Sequence, residues 1–279
     1  MRRWAALLSM AAAVVCGQSL PLEPAREGGA SITGSFEGWF KNPDGTFNLL
    51  LGYYNRNRGA EVDIPIGPNN RIEPAGPDRG QPTHFYIGRN WGMFVVKVPA
   101  DFGENKLTWT LIVNGQTTVI PASLKTDWQV SPLKEAAVGN TPPVLSFEEK
   151  GPTVQGPLAM TASRTAKVGT PLPLTVWVSD DAKFTSNTGT KPKNMPQPVR
   201  LRWSVYRAPG EVTIAEPVPE VKKLDRPGAA FSGTASTTAT FKEPGDYVLH
   251  VTANDYSGDG GGGFQCCWTT AHVKVSVSR

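Results

Sequence analysis

Cysteine is scarce in this sequence. Three occur among 279 residues, at Cys16, Cys266 and Cys267, and the first lies in an apolar N-terminal stretch. If that stretch is removed, only one adjacent pair remains, which excludes a disulfide framework. Burial of a large apolar side chain contributes about 1.5–3 kcal/mol, and the chain is long enough for two ordinary domains. We therefore expect apolar cores to stabilise the fold.

The motifs of the common catalytic sites are also lacking. The three histidines, His84, His250 and His272, are far apart in the sequence and show no HxxxH or HExxH spacing. There is no Gly-x-Ser-x-Gly elbow, and the glycine run 260–263 is not followed by the Lys and Ser/Thr of a phosphate-binding loop. We predict that the protein is not an enzyme, and a hydrolase with a site between domains is the least favoured alternative.

Charge has little bias toward either sign. The net charge is +4, and about +2 remains without Arg2 and Arg3 of the N-terminal stretch. This is too little to indicate a nucleic-acid or anionic-membrane partner. After the N-terminal stretch no apolar run is long enough to span a bilayer, so we also predict that the chain is not transmembrane.

Residues 1–19 have the pattern of a secretory signal peptide. Arg2 and Arg3 precede the apolar run Ala5–Val15, which is too short to cross a membrane. We predict cleavage near Gln18 and a periplasmic or extracellular location. A lipoprotein anchor at Cys16 is a weaker alternative, because Val14 and Val15 stand where a bacterial lipobox has a small residue just before the cysteine.

The remaining sequence indicates an all-β protein. Glycine (29) and proline (25) are abundant, no helical periodicity of useful length is present, and turn signals such as Asn114-Gly115 separate short strands. We predict two tandem antiparallel β-sandwich domains, with about seven strands in each. The predicted segments are a flexible lead-in at 20–33, an N-terminal sandwich at 34–122, a linker at 123–142 and a C-terminal sandwich at 143–279.

The C-terminal half resembles a known family. Pro244–Asp255 (PGDYVLHVTAND) is similar to the penultimate strand of immunoglobulin-like sandwiches, and most of all to the polycystic-kidney-disease-type (PKD) repeats of secreted bacterial proteins. Thr141–Val144 resembles the start of such a repeat, and Leu201–Ser204 its third strand, with Trp203 in the core. The resemblance implies an Ig-like fold, with Tyr247 as a tyrosine corner. It implies no activity, and we assign the N-terminal half to no family.

The adjacent Cys266 and Cys267 are the first candidate site. In a regular strand their side chains point to opposite faces, so a bond between them requires a distorted ring. An exported protein meets an oxidising compartment that permits this vicinal disulfide. Two alternatives stay open: one buried thiol beside an exposed neighbour, and, less favoured, a redox-active pair.

Four carboxylates form the second candidate site. Asp180 and Asp181 follow one predicted strand, and Asp255 and Asp259 follow another that ends at the same end of an Ig-like sandwich. Oxygen ligands of this kind suit Ca²⁺, which is the only cofactor that the sequence suggests. The alternative is that these residues are ordinary turn formers.

Aromatic residues near two arginines are the third candidate site. Adjacent aromatic residues in a strand face opposite sides, so one of each pair points outward. We predict a ligand surface at Trp39, Tyr54, Arg56, Arg58 and Trp91, and the alternative is that the aromatic rings belong to the core or lie under a loop.

These observations predict an exported non-enzymatic binding or structural module, in contact with a protein or glycan at the cell envelope. The alternative is a carbohydrate-active accessory protein whose N-terminal domain binds the sugar.

Overall fold

The computed structural model describes residues 26–136, 138–158, 160–184, 193–226, 228–256 and 266–279. The predicted signal peptide with Cys16, residues 20–25 of the predicted lead-in, and Asp259 lie outside these residues. The described chain contains eighteen strands and one 3-10 turn at Thr126–Trp128, which confirms the all-β prediction. In the part of the chain that is described, no helix has the length and apolar character to cross a bilayer.

Eight strands lie in the N-terminal half and form three sheets. Their order is β1-β2-β6, β4-β7-β8 and the short pair β3-β5. The predicted Asn114-Gly115 hairpin joins β7 to β8, and both residues have positive φ, as such a turn requires. The strands are β1 Ile32–Lys41, β2 Phe47–Asn55, β3 Val62–Asp63, β4 Asn70–Glu73, β5 His84–Phe85, β6 Gly88–Val98, β7 Lys106–Val113 and β8 Gln116–Ser123.

Ten strands lie in the C-terminal half and form two facing sheets. One has the order β10-β9-β12-β16-β14, with β15 also paired to β16, and the other has the order β11-β18-β17-β13. The pairing of β11 with β18 is parallel and the other pairings of these two sheets are antiparallel. The strands are β9 Val144–Ser146, β10 Thr153–Gln155, β11 Met160–Lys167, β12 Leu172–Asp180, β13 Arg200–Arg207, β14 Val212–Ile214, β15 Lys222–Lys223, β16 Phe231–Phe241, β17 Gly245–Asn254 and β18 Trp268–Ser278.

Each half has its own apolar core. Leu49, Leu51 and Tyr53 alternate along β2 into the N-terminal core, and Leu249 and Val251 alternate along β17 into the C-terminal core. The predicted tyrosine corner is confirmed, since the Tyr247 hydroxyl donates to the Glu243 carbonyl at 2.8 Å. The exact boundaries of two separate domains stay a prediction.

The second face of the β13-β17-β18 sheet is polar but buried, because the N-terminal half covers it. His250 on this face is 1% exposed and Thr270 is also 1% exposed. Trp268 packs with Phe40, Leu50 and Val130 in a third apolar cluster between the halves. Tyr206 joins the N-terminal core, and its hydroxyl donates to the Gly80 carbonyl at 2.6 Å. The two halves are therefore in direct side-chain contact.

Candidate functional site

A wide cleft lies where the two halves meet. Its volume is about 750 Å³, and it is bounded by β3 and β5 on one side and by β13 and β14 on the other. Four carboxylates line it: Glu61, Asp63, Glu211 and Asp246. We call this the acidic cleft. Its carboxylates come from both halves, so no single sequence motif could have revealed it.

His84 stands at the wall of the acidic cleft between two of these carboxylates. Its Nδ1 lies 2.7 Å from Asp63 Oδ1, and its Nε2 lies 2.8 Å from Glu61 Oε2. Burial favours the neutral ring, but the hydrogen bonds to Asp63 and Glu61 outweigh it and raise the pKa of His84 to about 9. At neutral pH His84 is an imidazolium, which cannot act as a general base.

A second, smaller site shares the lining residue Tyr86 with the acidic cleft. It has a volume of about 50 Å³ and is bounded by Arg89 and Trp91 from β6, and by Arg202 and Trp268 from the C-terminal half. We call this the basic crevice. Asn90, Met93, Ser204, His250, Thr252 and Asn254 complete its lining.

A bulge in β6 shapes the basic crevice. The pairs Leu51–Phe94 and Tyr53–Asn90 leave three residues of β6 opposite Gly52 alone, and such an irregularity redirects side chains. Trp91 lies in this bulge and is 43% exposed. The guanidinium carbon of Arg89 lies 3.9 Å from the centre of the Trp91 ring.

Glu37 on β1 forms an ion pair with Arg89. Arg89 Nη2 donates to Glu37 Oε1 at 2.6 Å, and the Gly92 amide donates to Glu37 Oε2 at 2.6 Å. Burial raises the pKa of Glu37 to about 7, although Arg89 and the Gly92 amide oppose this shift. Sequence reasoning missed both residues, because an isolated Glu and Arg on separate strands carry no pattern.

The five predicted ligand residues do not form one row. Trp39 and Arg56 are each 8% exposed, and Trp39 Nε1 donates to the Lys125 carbonyl at 2.7 Å. Tyr54 is half-buried, with the Arg56 guanidinium carbon 5.1 Å from its ring centre. Arg58 is exposed, and Trp91 belongs to the basic crevice. Ligand binding at these residues stays a prediction.

A different aromatic pair borders a groove of the N-terminal half. Trp128 is 48% exposed, and its ring centre lies 5.6 Å from that of Phe36. The groove has a volume of about 520 Å³ and includes Val119, Lys106 and Thr118. Trp128 lies in the predicted linker, far in the sequence from the other aromatic residues. Its pairing with Phe36 could therefore not be predicted from the sequence.

The predicted calcium site is brought together in part. Asp180 and Asp255 are 8% and 6% exposed. Burial raises the pKa of Asp180 to about 7, and the charges of Asp255 and Asp181 add to this shift. The hydrogen bond from the Ala182 amide opposes it. Asp181 instead accepts from Thr141 Oγ1 at 3.1 Å and pairs with Lys183. Asp259 lies outside the described residues.

Two residues of the predicted linker, Glu135 and Asn140, interact with Asp255. Asn140 Nδ2 donates to Asp255 Oδ2 at 2.6 Å, and the Asp255 charge, after burial, raises the pKa of Glu135. Within the described chain, Glu135 Oε2, Asn140 Oδ1 and Asp180 Oδ1 are buried without a hydrogen-bond partner. Nevertheless, no group of three or more His, Cys, Asp or Glu residues in the described chain is placed to hold a metal ion. Calcium binding stays a prediction.

Cys266 and Cys267 are joined in the structure by a disulfide across a cis peptide bond. Both are fully buried, and Cys267 Sγ lies 3.6 Å from the Asn140 carbonyl oxygen. The pair thus fixes the start of β18 against the predicted linker. The redox state of the purified protein stays a prediction, tested below.

Comparisons with known proteins give no family. No family model matches the chain, and no curated protein matches it. Among solved structures, the chain is similar to the D00-D0 domain of Intimin, with 12% identity, a TM-score of 0.24, and coverage of 94% of this chain and 98% of that one. A likeness this weak carries no argument, so the fold rests on the strands described above. The PKD-type assignment stays a prediction.

Proposed function

We propose that the protein is an exported, non-enzymatic binding module, and that its acidic cleft receives a positively charged, extended segment of a partner protein. The observation that carries this is the placement of four carboxylates from both halves around one cleft of about 750 Å³. Arg207, which is paired with Asp78, and the His84 imidazolium also line the cleft, so its lining carries a net negative charge. A concave surface with an excess of one charge attracts and orients a partner of opposite sign.

Strand β14 supports the extended shape of the partner. It is an edge strand of its sheet, paired to β16 on one side, and its first residue, Val212, lines the acidic cleft. Edge strands commonly receive an added strand from a partner, while neighbouring pockets select its side chains. A lysine- or arginine-containing strand would place its charges near Asp246 and near Glu211, which pairs with the exposed Lys242 at 2.7 Å in the free protein.

The experiment measures binding of fluorescent tetralysine and tetraglutamate by anisotropy. We expect saturable binding of tetralysine that weakens with added salt, since exposed charges are screened. The double variant Glu211→Gln/Asp246→Asn should weaken it about threefold to tenfold, because each exposed pair contributes up to about 1 kcal/mol. Glu220→Gln is the matched control, since Glu220 is exposed and outside the cleft. Equal binding of both peptides would refute the proposal.

A glycan-binding function is the second candidate, and the Phe36–Trp128 groove favours it. An exposed ring beside hydroxyl and lysine side chains is suited to the apolar face and hydroxyl groups of a sugar. A glycan array probed with wild type and Trp128→Ala tests this. Bound glycans should be lost in the variant, and a blank array with wild type would exclude this function.

A further inference from the structure

The basic crevice contains donors that nothing in the described chain satisfies. Arg89 Nη1 and Trp268 Nε1 are both buried, and neither has a hydrogen-bond partner among the described residues. Trp268 is 2% exposed and lines the crevice together with Arg89. A buried donor without an acceptor is costly, so two in one crevice point to a missing acceptor.

The charge of the crevice indicates that the acceptor is an anion. Arg202 lies at its rim, with its guanidinium carbon 6.0 Å from the Tyr86 ring centre, and it forms no ion pair within the described chain. Arg89 pairs with Glu37, whereas Arg202 pairs with no carboxylate among the described residues. Two guanidinium groups with an indole N–H form the donor set that recognises a carboxylate.

The size of the crevice restricts what enters it. A volume of about 50 Å³ exceeds the roughly 10–15 Å³ that one water requires, and admits a group of a few atoms. The remainder of the ligand must therefore lie at the mouth, where Tyr86 is half-buried and Trp91 is 43% exposed. The Arg89 guanidinium lies over one face of the Trp91 ring. The exposed part of that ring favours a sugar ring over a peptide backbone, because an aromatic ring can pack against the C–H face of a pyranose.

We propose that the basic crevice binds a uronate sugar, with the carboxylate near Arg89 Nη1, Trp268 Nε1 and Arg202, and with the sugar ring against Trp91. This site is separate from the acidic cleft, so it does not depend on the partner proposed there. It also differs from the Phe36–Trp128 groove, which lies on another part of the N-terminal half.

The test follows tryptophan fluorescence of the mature chain, since Trp91 and Trp268 line the crevice. The probes are glucuronate, glucose, acetate and N-acetylglutamate at pH 7. We expect glucuronate to bind at least about tenfold more tightly than glucose, which lacks the carboxylate, because charge-assisted hydrogen bonds are the stronger class. Acetate should bind more weakly than glucuronate, because it has no ring to pack on Trp91.

Three variants keep the test specific to this site. Arg202→Gln should weaken glucuronate binding about tenfold, whereas Arg200→Gln, on the same exposed edge of β13 and outside the crevice, should leave it unchanged. Trp91→Ala should weaken glucuronate but not acetate. Circular dichroism of each variant confirms that it is folded.

Three results would overturn the proposal. Equal affinity for acetate and glucuronate would mean an adventitious small anion only. Tighter binding of N-acetylglutamate would assign the crevice to a protein carboxylate. No signal with any probe would mean that water satisfies the two donors.

Discussion

The indole of Trp268 lies directly against the α-carbon of Gly92, so that a β-carbon at residue 92 would overlap the ring. Trp268 begins β18 of the C-terminal half, and Gly92 lies in the β6 bulge of the N-terminal half. This contact joins the halves next to the basic crevice. It requires glycine for two reasons, the close approach and a φ of +49°.

Substitution Gly92→Ala is therefore expected to loosen the docking of the two halves. Its matched control is Gly88→Ala on the same strand, where φ is also positive, at +80°, but no atom lies near the added β-carbon. Both variants place alanine at a positive φ, so both lose stability for this reason. In Gly92→Ala the added β-carbon also overlaps the Trp268 ring, so this variant should be about 1–3 kcal/mol less stable than the control. Urea unfolding monitored by tryptophan fluorescence measures the difference. Equal stability of the two variants would show that Trp268 adjusts freely.

The buried pair His250 and His272 predicts a loss of stability in acid. His272 Nε2 lies 3.0 Å from His250 Nδ1, and burial, followed by the charges of Arg207 and Lys274, lowers the pKa of His272 to about 4. Burial, followed by His272, also lowers the pKa of His250. In the unfolded chain both titrate near pH 6.5, so between pH 6.5 and 4 the unfolded state binds more protons. Stability should fall as pH falls through this window.

Unfolding midpoints of His272→Gln and wild type, measured from pH 4 to 9, test this. The variant should lose about 2–3 kcal/mol of the acid dependence. His84→Gln is the control with the opposite sign. In the wild type, the raised pKa of His84, about 9, contributes stability that is present below pH 6.5 and is lost as pH rises toward 9. An unchanged acid slope in His272→Gln would contradict the assignment.

The sequence predicted the strands better than the sites. The residues of β17 alternate between two faces: Leu249 and Val251 lie in the C-terminal core, and His250 and Thr252 line the basic crevice. The second face is nevertheless buried, because whether a polar face meets solvent or another half depends on docking, which local periodicity does not encode. The same reason hid the acidic cleft, whose carboxylates Glu61 and Asp246 come from opposite halves.

The candidate ligand residues show a similar limit. One ring of each adjacent aromatic pair was expected to point outward, but Trp39 lies in the N-terminal core and Phe40 in the cluster between the halves, so both are buried. Trp91 is exposed, as expected for an outward ring, but its environment depends on a bulge opposite Gly52 that no sequence pattern marked. Glu135 and Asn140 lie in the predicted linker, yet they meet Asp255 from the other end of the C-terminal half. Contacts of this sequence separation arise from topology.

Asp180 gives a pH prediction of the opposite sign to the buried histidines. Its pKa is about 7 in the folded protein and near 3.9 when unfolded. The raised pKa contributes stability that is present below about pH 4 and is lost as pH rises through 7. Asp180→Asn does not titrate, and it should become more stable relative to wild type by about 1–3 kcal/mol between pH 4 and 8. A constant difference across this range would refute the prediction.

Repeating that measurement at pH 8 with Ca²⁺ tests the calcium prediction. Calcium bound by Asp180 and Asp255 would raise the thermal midpoint of wild type, since a ligand of the folded state stabilises it. Asp180→Asn and Asp255→Asn should then show a smaller rise, and Mg²⁺ should not replace Ca²⁺ at a site with irregular oxygen ligands. An equal midpoint with Ca²⁺ and with a chelator would exclude calcium as a ligand.

The disulfide between Cys266 and Cys267 predicts that the mature protein has no free thiol. Alkylation of denatured protein without reduction should add nothing to its mass, and alkylation after reduction should add one group at each of these two cysteines. The same spectrum reports the N-terminus, and therefore whether Cys16 is removed or carries a lipid. Cys266→Ser is the control, because it should leave Cys267 open to alkylation without a reductant. Alkylation of the unreduced wild type at Cys266 or Cys267 would show that the pair is a dithiol, and the contact of Cys267 Sγ with the Asn140 carbonyl would then be made by a thiol.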